Sequence, residues 1–273
     1  MKLTARGSFL KALVVLASLI YLIPVWVVVV NSLKIQRDAN LLGMSLPANL
    51  KLHVENYSAV FVEGGIERAF FNGLLEATAS VAIIILLSSI SAFVITRKGS
   101  RFTEIVFYIF ICGLIIPAAM IPTFLVLNAT KLINTYLGII FIFATYGLPM
   151  SIFLYGGFVK SVPRELDESA IIDGCGGLRM FYQIIFPLLK PVTVTIFIFS
   201  FIGAWNDVMI PLFFAGGDKW ALPLTIYNFY GSRSQQWNLI FADVVITVAP
   251  LLVVYIFAQK YIISGMTAGA VKG

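Results

Sequence analysis

Charge is the scarcest commodity in this chain. Only 12% of its 273 residues are Asp, Glu, Lys or Arg, against 60% hydrophobic ones, and the mean hydropathy is +0.96. A soluble domain carries about 25% charged residues, so a water-exposed globule is excluded and apolar stretches of about 20 residues read as spanning helices. No tract alternates apolar and polar residues over about ten positions, which removes a transmembrane barrel. Histidine is nearly absent: His53 is the single one, and His-based catalysis and zinc chemistry go with it. The two cysteines, Cys112 in an apolar run and Cys175 between glycines, are too few for a metal site and poorly placed for a disulfide. No Gly-Lys-Ser/Thr triplet occurs, so the phosphate-cradling loop of an ATPase is missing and any ATP hydrolysis belongs to another chain. The net charge of +6 contains no run of four basic residues, and nucleic acid is not a partner.

What is present is a series of apolar runs. Residues 12–30 lack any charge and form a first span, too long for a secretory leader and followed by no small-residue cleavage site. A polar connection, 32–68, holds turn residues and Lys34, Arg37, Asp38, Lys51, His53, Glu55, Glu63 and Glu67. Further spans are expected at 69–96, 105–130, 136–159, 191–214 and 237–259. Prolines 117, 122, 149, 211 and 250 lie within them, which packed membrane bundles tolerate. Six spans put both termini on one side. Twelve basic residues fall there: Lys2, Arg6, Lys11, Arg97, Lys98, Arg101, Lys160, Arg164, Arg179, Lys190, Lys260 and Lys272. The opposite side has seven: Lys34, Arg37, Lys51, Arg68, Lys131, Lys219 and Arg233. The excess marks the cytoplasmic side and places the N and C termini of this multi-pass membrane protein there.

One connection is too polar for its surroundings. Residues 161–191 read SVPRELDESAIIDGCGGLRMFYQIIFPLLKP. Pro163 and the carboxylates of Glu165, Asp167 and Glu168 signal a helix start. Gly174, Gly176 and Gly177 end that helix in a left-handed turn. A second short helix over about 178–185 runs into Pro187. Positive-inside counting puts this elbow in the cytoplasm.

The elbow resembles the cytoplasmic EAA loop of ABC importer permeases. That motif is Glu-Ala-Ala, three residues, Gly, nine residues, Ile, one residue, Leu-Pro. It is matched by Glu168-Ser169-Ala170, Gly174, Ile184 and Phe186-Pro187, with Ser for Ala and Phe for Leu as departures. The terminus, QKYIISGMTAGAVKG, is similar to the tail of maltose-type carbohydrate importer permeases, with Gly265, Met266, Thr267, Gly269, Val271, Lys272 and Gly273 in register. The segment LPANLKLHVENYSAVF and the GAWND of 203–207 resemble the same family, so the likeness covers roughly 46–273. The resemblance implies an all-α membrane protein with the six-helix type I ABC importer permease fold. It divides into a first helix (1–31), an external loop (32–68), a permease core (69–262, with the EAA loop at 161–191) and a cytoplasmic tail (263–273). It further implies a permease subunit of a sugar or oligosaccharide importer, not an enzyme. A second homologous permease would form a heterodimer with it, an ATPase dimer holding ATP and Mg would dock on the loops, and an extracytoplasmic binding protein would deliver sugar. ATPase coupling would fall to Arg164, Glu168, Ser169, Ala170, Asp173 and Gly174, and tail contact to Thr267, Gly269 and Lys272.

Three carboxylates, Glu76, Asp207 and Asp243, lie inside spans, where acids default to a functional reading. Counted at about 1.5 Å per residue, all three fall in the outer half and are expected to line one outward cavity. A sugar suits such a place, since carboxylates and amides meet hydroxyls and aromatic rings cover apolar sugar faces. Asn72, Trp205, Asn206 and Tyr227 join the three acids as pathway candidates. The competing reading of each is hydrogen bonding between helices. Two other functions stay open: the same fold importing glycerol phosphate or a cationic solute such as a polyamine, and a membrane enzyme or stand-alone carrier.

Overall fold

A computed structural model describes residues 5–117, 119–231 and 235–270, with side chains described from residue 10 to 256 and at Gln259 outside those gaps. In chain order the helices are α1 (Ala5–Ser32), α2 (Gln36–Ala39), α3 (Glu55–Glu63), α4 (Ile66–Lys98), α5 (Arg101–Ile115), α6 (Met120–Ala129), α7 (Tyr136–Ser161), α8 (Glu165–Ile172), α9 (Gly177–Met180), α10 (Phe186–Leu188), α11 (Lys190–Asn206), α12 (Met209–Phe214) and α13 (Trp237–Ala270). Among the described residues, four segments are long and apolar enough to cross a membrane: Leu10–Ser32, Ile66–Lys98, Tyr136–Ser161 and Trp237–Ile256. Two bent helix pairs, α5 with α6 and 177–188 with α11, bring the number to six when each counts as one span.

The prolines sort by what precedes them. Pro24, Pro149 and Pro250 stay inside α1, α7 and α13. Pro117 does not: Ile116 before it is extended, with φ −73° and ψ 120°, and α5 stops there, because proline disfavours the helical conformation of the preceding residue. The expected third span is therefore two helices. The expected fifth span is also divided. Asp207 leaves the helix (φ −70°, ψ 129°) and α11 ends at Asn206, so 209–214 is a separate turn of helix.

The chain folds as two compact units. One comprises residues 1–67 and 222–252. In it α1 is exposed from Leu10 almost to its end, as befits a helix meeting lipid, while Val30, Asn31, Ser32 and Lys34 are buried. Amides and one lysine tie the connection that follows. Lys34 Nζ donates to Asn31 Oδ1 (3.0 Å) and to the Gly43 carbonyl (3.1 Å). Asn56 donates to the carbonyls of Ser32 and Lys34, and its own Oδ1 accepts from Asn238 (2.8 Å). Burial pushes the Lys34 ammonium below the ordinary lysine pKa, with Asp38 pulling the other way.

The other unit comprises residues 68–221 and 253–273. Its main core joins Ile84, Ala92 and Phe93 of α4 to Ile152, Tyr155 and Val159 of α7 and to Val192 and Ile196 of α11. The same cluster takes in Ala170, Met180, Phe181, Ile185 and Leu189, so the polar loop is rooted in the apolar core. A hydroxyl bond crosses it, Tyr155 donating to Thr193 Oγ1 at 2.9 Å. A second cluster gathers Leu127, Ile139, Ile142 and Phe143 with Ile210 and Phe214 of α12. The tail expected at 263–273 continues α13 as helix to Ala270.

Candidate functional site

The 161–191 loop is built from local rules. After Val162 closes α7, α8 starts with no side-chain cap, and its first turn carries Glu165, Asp167 and Glu168. Carboxylates there favour the positive end of the helix dipole. Its end is a Schellman motif: Gly174 N–H donates to the Ile171 carbonyl (3.0 Å) and Cys175 N–H to that of Ala170 (2.9 Å). The motif needs one left-handed residue, and Gly174 supplies it at φ +76°. Gly176 and Gly177, expected to share that role, do not: Gly176 is extended and precedes α9, where Gly177 is the first residue. The second helix also runs further than expected. A π-helical turn, Phe181–Ile185, carries the chain through Pro187 to Leu188. The widened turn sits just before a proline whose ring would otherwise press on the carbonyl four residues back. The chain then turns by 78° into α11.

The two faces of this loop differ sharply. Ala170 is 2% exposed, packed in the chain's own core, and Phe181 lies 5.3 Å from Phe93, ring centre to ring centre. Ile184 and Phe186, the matched motif positions, pack partly against the same cluster. Outward stand Arg164, Glu168, Ser169, Asp173 and Gly174, all exposed; Ser169 donates its hydroxyl back to the Glu165 carbonyl (2.8 Å). Outward too are Ile171 (63%), Ile172 (85%) and Leu178 (70%). Three exposed aliphatics thus flank the turn at Gly174, with the exposed Glu168 and Asp173 near them in the chain. The motif reading passed over them, although their place on either side of Gly174 was visible.

A second feature went unread: Arg97, at the end of α4, pairs with Asp167 on α8. Nε lies 2.6 Å from Oδ2 in an ion-pair contact without hydrogen-bond geometry, and Nη2 donates to Oδ1 (3.3 Å) and to the Val162 carbonyl (3.1 Å). Both side chains are nearly buried, at 12% and 13% exposure. Seventy positions separate the two, beyond the reach of any local pattern.

The pathway candidates lie in different surroundings. Asn72 is buried; its amide donates to the carbonyls of Asp218 (3.1 Å) and Trp220 (3.0 Å), and its Oδ1 accepts from Tyr136 Oη (2.8 Å). It fastens the 216–221 turn to α4. There Lys219, hydrogen-bonded to Asp218 at 2.7 Å, holds that carboxyl below its ordinary pKa. Glu76 is 2% exposed, and its Oε1 meets no hydrogen-bonding partner among the described residues. Trp205 is buried between Phe201 and Phe70, at 5.6 Å from each. Asn206 is exposed, and the half-buried Asp207 caps α12 by accepting from Ile210 N–H at 2.7 Å. These four belong with Asn72 to one unit. Asp243 and Tyr227 belong to the other: Asp243 is buried and accepts from Thr225 Oγ1 at 2.7 Å, while Tyr227 is half exposed. Thr267 and Gly269 lie on α13 with side chains outside the described set, and Lys272 lies outside the described residues.

Asn72→Ala is expected to lower stability by about 1–3 kcal/mol, because it orphans buried partners, and Tyr136→Phe by about 1 kcal/mol. The melting temperature of the detergent-purified protein measures both. A pure substrate contact would instead leave that temperature unchanged.

Comparison with known proteins places these features. Residues 84–268 match the family model described as binding-protein-dependent transport system inner membrane component. The probable starch degradation products transport system permease protein AmyC of Thermoanaerobacterium thermosulfurigenes is 33% identical, over 99% of each chain. The melibiose/raffinose/stachyose import permease protein MelC of Bacillus subtilis is 32% identical, over 98% of this chain and 99% of its own. A chain from the crystal structure of a bacterial ABC transporter involved in the import of the acidic polysaccharide alginate superposes with a TM-score of 0.80. It is 20% identical, and the match covers 93% of this chain and 95% of that one. The fold is the type I importer permease fold expected from the sequence.

Proposed function

Because this chain belongs to the family of binding-protein-dependent transport system inner membrane components, we propose that it forms half of the transmembrane pathway of an ATP-driven sugar or oligosaccharide importer. It is a permease subunit and not itself an enzyme. It pairs with a second, homologous permease, and an extracytoplasmic binding protein delivers the sugar. A dimer of ATPase subunits, carrying ATP and Mg, grips the elbow at 161–191 from the cytoplasm, the side on which both termini lie. Closure of the ATPases draws the elbows together and opens the spans outward, and hydrolysis returns the pathway inward. This is differential stabilisation of two states through a rigid element.

The observation that carries this reading is the two-faced elbow. Ala170 and Phe181 root it in the core of α4, α7 and α11, while Ile171, Ile172 and Leu178 stand unburied at its tip. An apolar tip on a rooted loop suits a groove on another protein. Glu168 and Asp173 beside it supply charge for register, and Gly174 the turn. Sugar as cargo is supported by the relatives, whose names refer to starch degradation products and to melibiose, raffinose and stachyose; a phosphorylated or cationic solute is not favoured. Asn206, beside Trp205 at the end of α11, is the exposed pathway candidate of that unit.

Reconstitution tests the proposal. Liposomes containing this permease, its partner permease, the ATPase and the binding protein are expected to accumulate labelled raffinose or maltotriose only with Mg-ATP. Uptake by this polypeptide alone, without nucleotide, would contradict it.

A further inference from the structure

We propose that Arg97 is the positioning residue through which movement of the ATPase-gripped elbow is delivered to α4, by way of its ion pair with Asp167. This rests on the reading of the elbow as the docking site, and it adds a route from that site into the spans.

Three observations carry it. Arg97 joins three elements at once: it stands in the last turn of α4, and its guanidinium meets Asp167 in the first turn of α8 and donates to the carbonyl of Val162, where α7 ends. The remaining attachments of the elbow to the core are apolar, through Ala170, Met180, Phe181 and Ile185. Apolar contacts resist separation but define direction poorly, whereas charge-assisted hydrogen bonds, here from Nη2 to Asp167 Oδ1 and to the Val162 carbonyl, are directional. Lastly, the pair is shielded. Its side chains are little exposed, so solvent screening weakens it less than a surface pair. Among the described residues no other ion pair joins the loop to a span. Glu165 and Glu168 on the same helix are exposed, which leaves Asp167 as the carboxylate committed inward.

Neither residue lies at the apolar tip, so removing the link should spare docking and impair transmission. The test uses the full reconstituted complex, reading ATPase retained on purification, the rate of hydrolysis, and raffinose taken up per ATP. In Arg97→Gln the ATPase is expected to stay bound while uptake per ATP falls roughly tenfold, within the span of ordinary coupling between sites. Arg97→Lys, which keeps the charge but loses the planar guanidinium that bonds Asp167 and the Val162 carbonyl together, falls less. The double variant Arg97→Gln/Asp167→Asn is expected to lose no more than the worse single one, since both remove one shared link.

Unchanged uptake per ATP in Arg97→Gln, or losses that multiply in the double variant, would overturn the proposal. So would loss of the ATPase from both single variants, which would make the pair a structural brace only. Should Arg97→Gln fail to accumulate, Asp167→Asn is read by the same ratio. A wild-type complex that never holds the ATPase would refute the docking reading instead, so the two failures are distinct.

Discussion

Ile172→Asp is expected to strip the ATPase from the complex and to abolish sugar uptake, with the permease still inserted and folded. Ile172 is 85% exposed and follows directly on Ile171 at the end of α8. In this chain it touches no core, so a carboxylate there costs the isolated permease little. Against a groove on the ATPase the same carboxylate is forced out of water with no partner. The loss of a central apolar anchor is worth about 2 kcal/mol or more, roughly thirtyfold in affinity. Pull-down of the ATPase through a tagged permease measures it. Equal recovery with wild type would remove the apolar tip from the docking surface.

Gly174→Val is the second large effect, and it arises from backbone alone. A Cβ at Gly174 would meet nothing within 4 Å, so there is no clash to relieve. The penalty is the left-handed conformation itself, about 1–2 kcal/mol for an ordinary L-residue and worse for a β-branched one. Reversing φ breaks both hydrogen bonds of the Schellman motif and redirects the chain that leads from Ile172 to Leu178. Gly174→Asn should retain much of the function, since Asn tolerates this region. The contrast between Val and Asn in uptake separates conformation from volume; equal loss in both would mean that size at the tip is what matters.

The spans and the elbow were legible because each is written locally. Apolar runs of spanning length, the carboxylates after Pro163 and the glycine at 174 each act within a few residues. Basic residues alone set the expected sidedness. The breaks were harder. Pro117 and Pro149 look alike in sequence, yet one ends a helix and the other lies within α7. Asp207 read as a pathway acid because polar groups within an apolar run invite that reading; the structure uses it to cap α12. Asn72 invited the same reading and is occupied in tying Tyr136 and the carbonyls of 218 and 220. Arg97 was read only as one of many positive charges at span ends. Its pairing with Asp167 exists only once α4 and α8 are folded together.

The most direct measurement is thiol labelling at the tip. In a background with Cys112 and Cys175 replaced by Ser, Ile172→Cys should react with a membrane-impermeant maleimide in inside-out vesicles and not in intact cells. Added ATPase should then block the reaction. Labelling of Cys at 172 from outside intact cells, or labelling in inside-out vesicles that saturating ATPase leaves unchanged, would contradict the account.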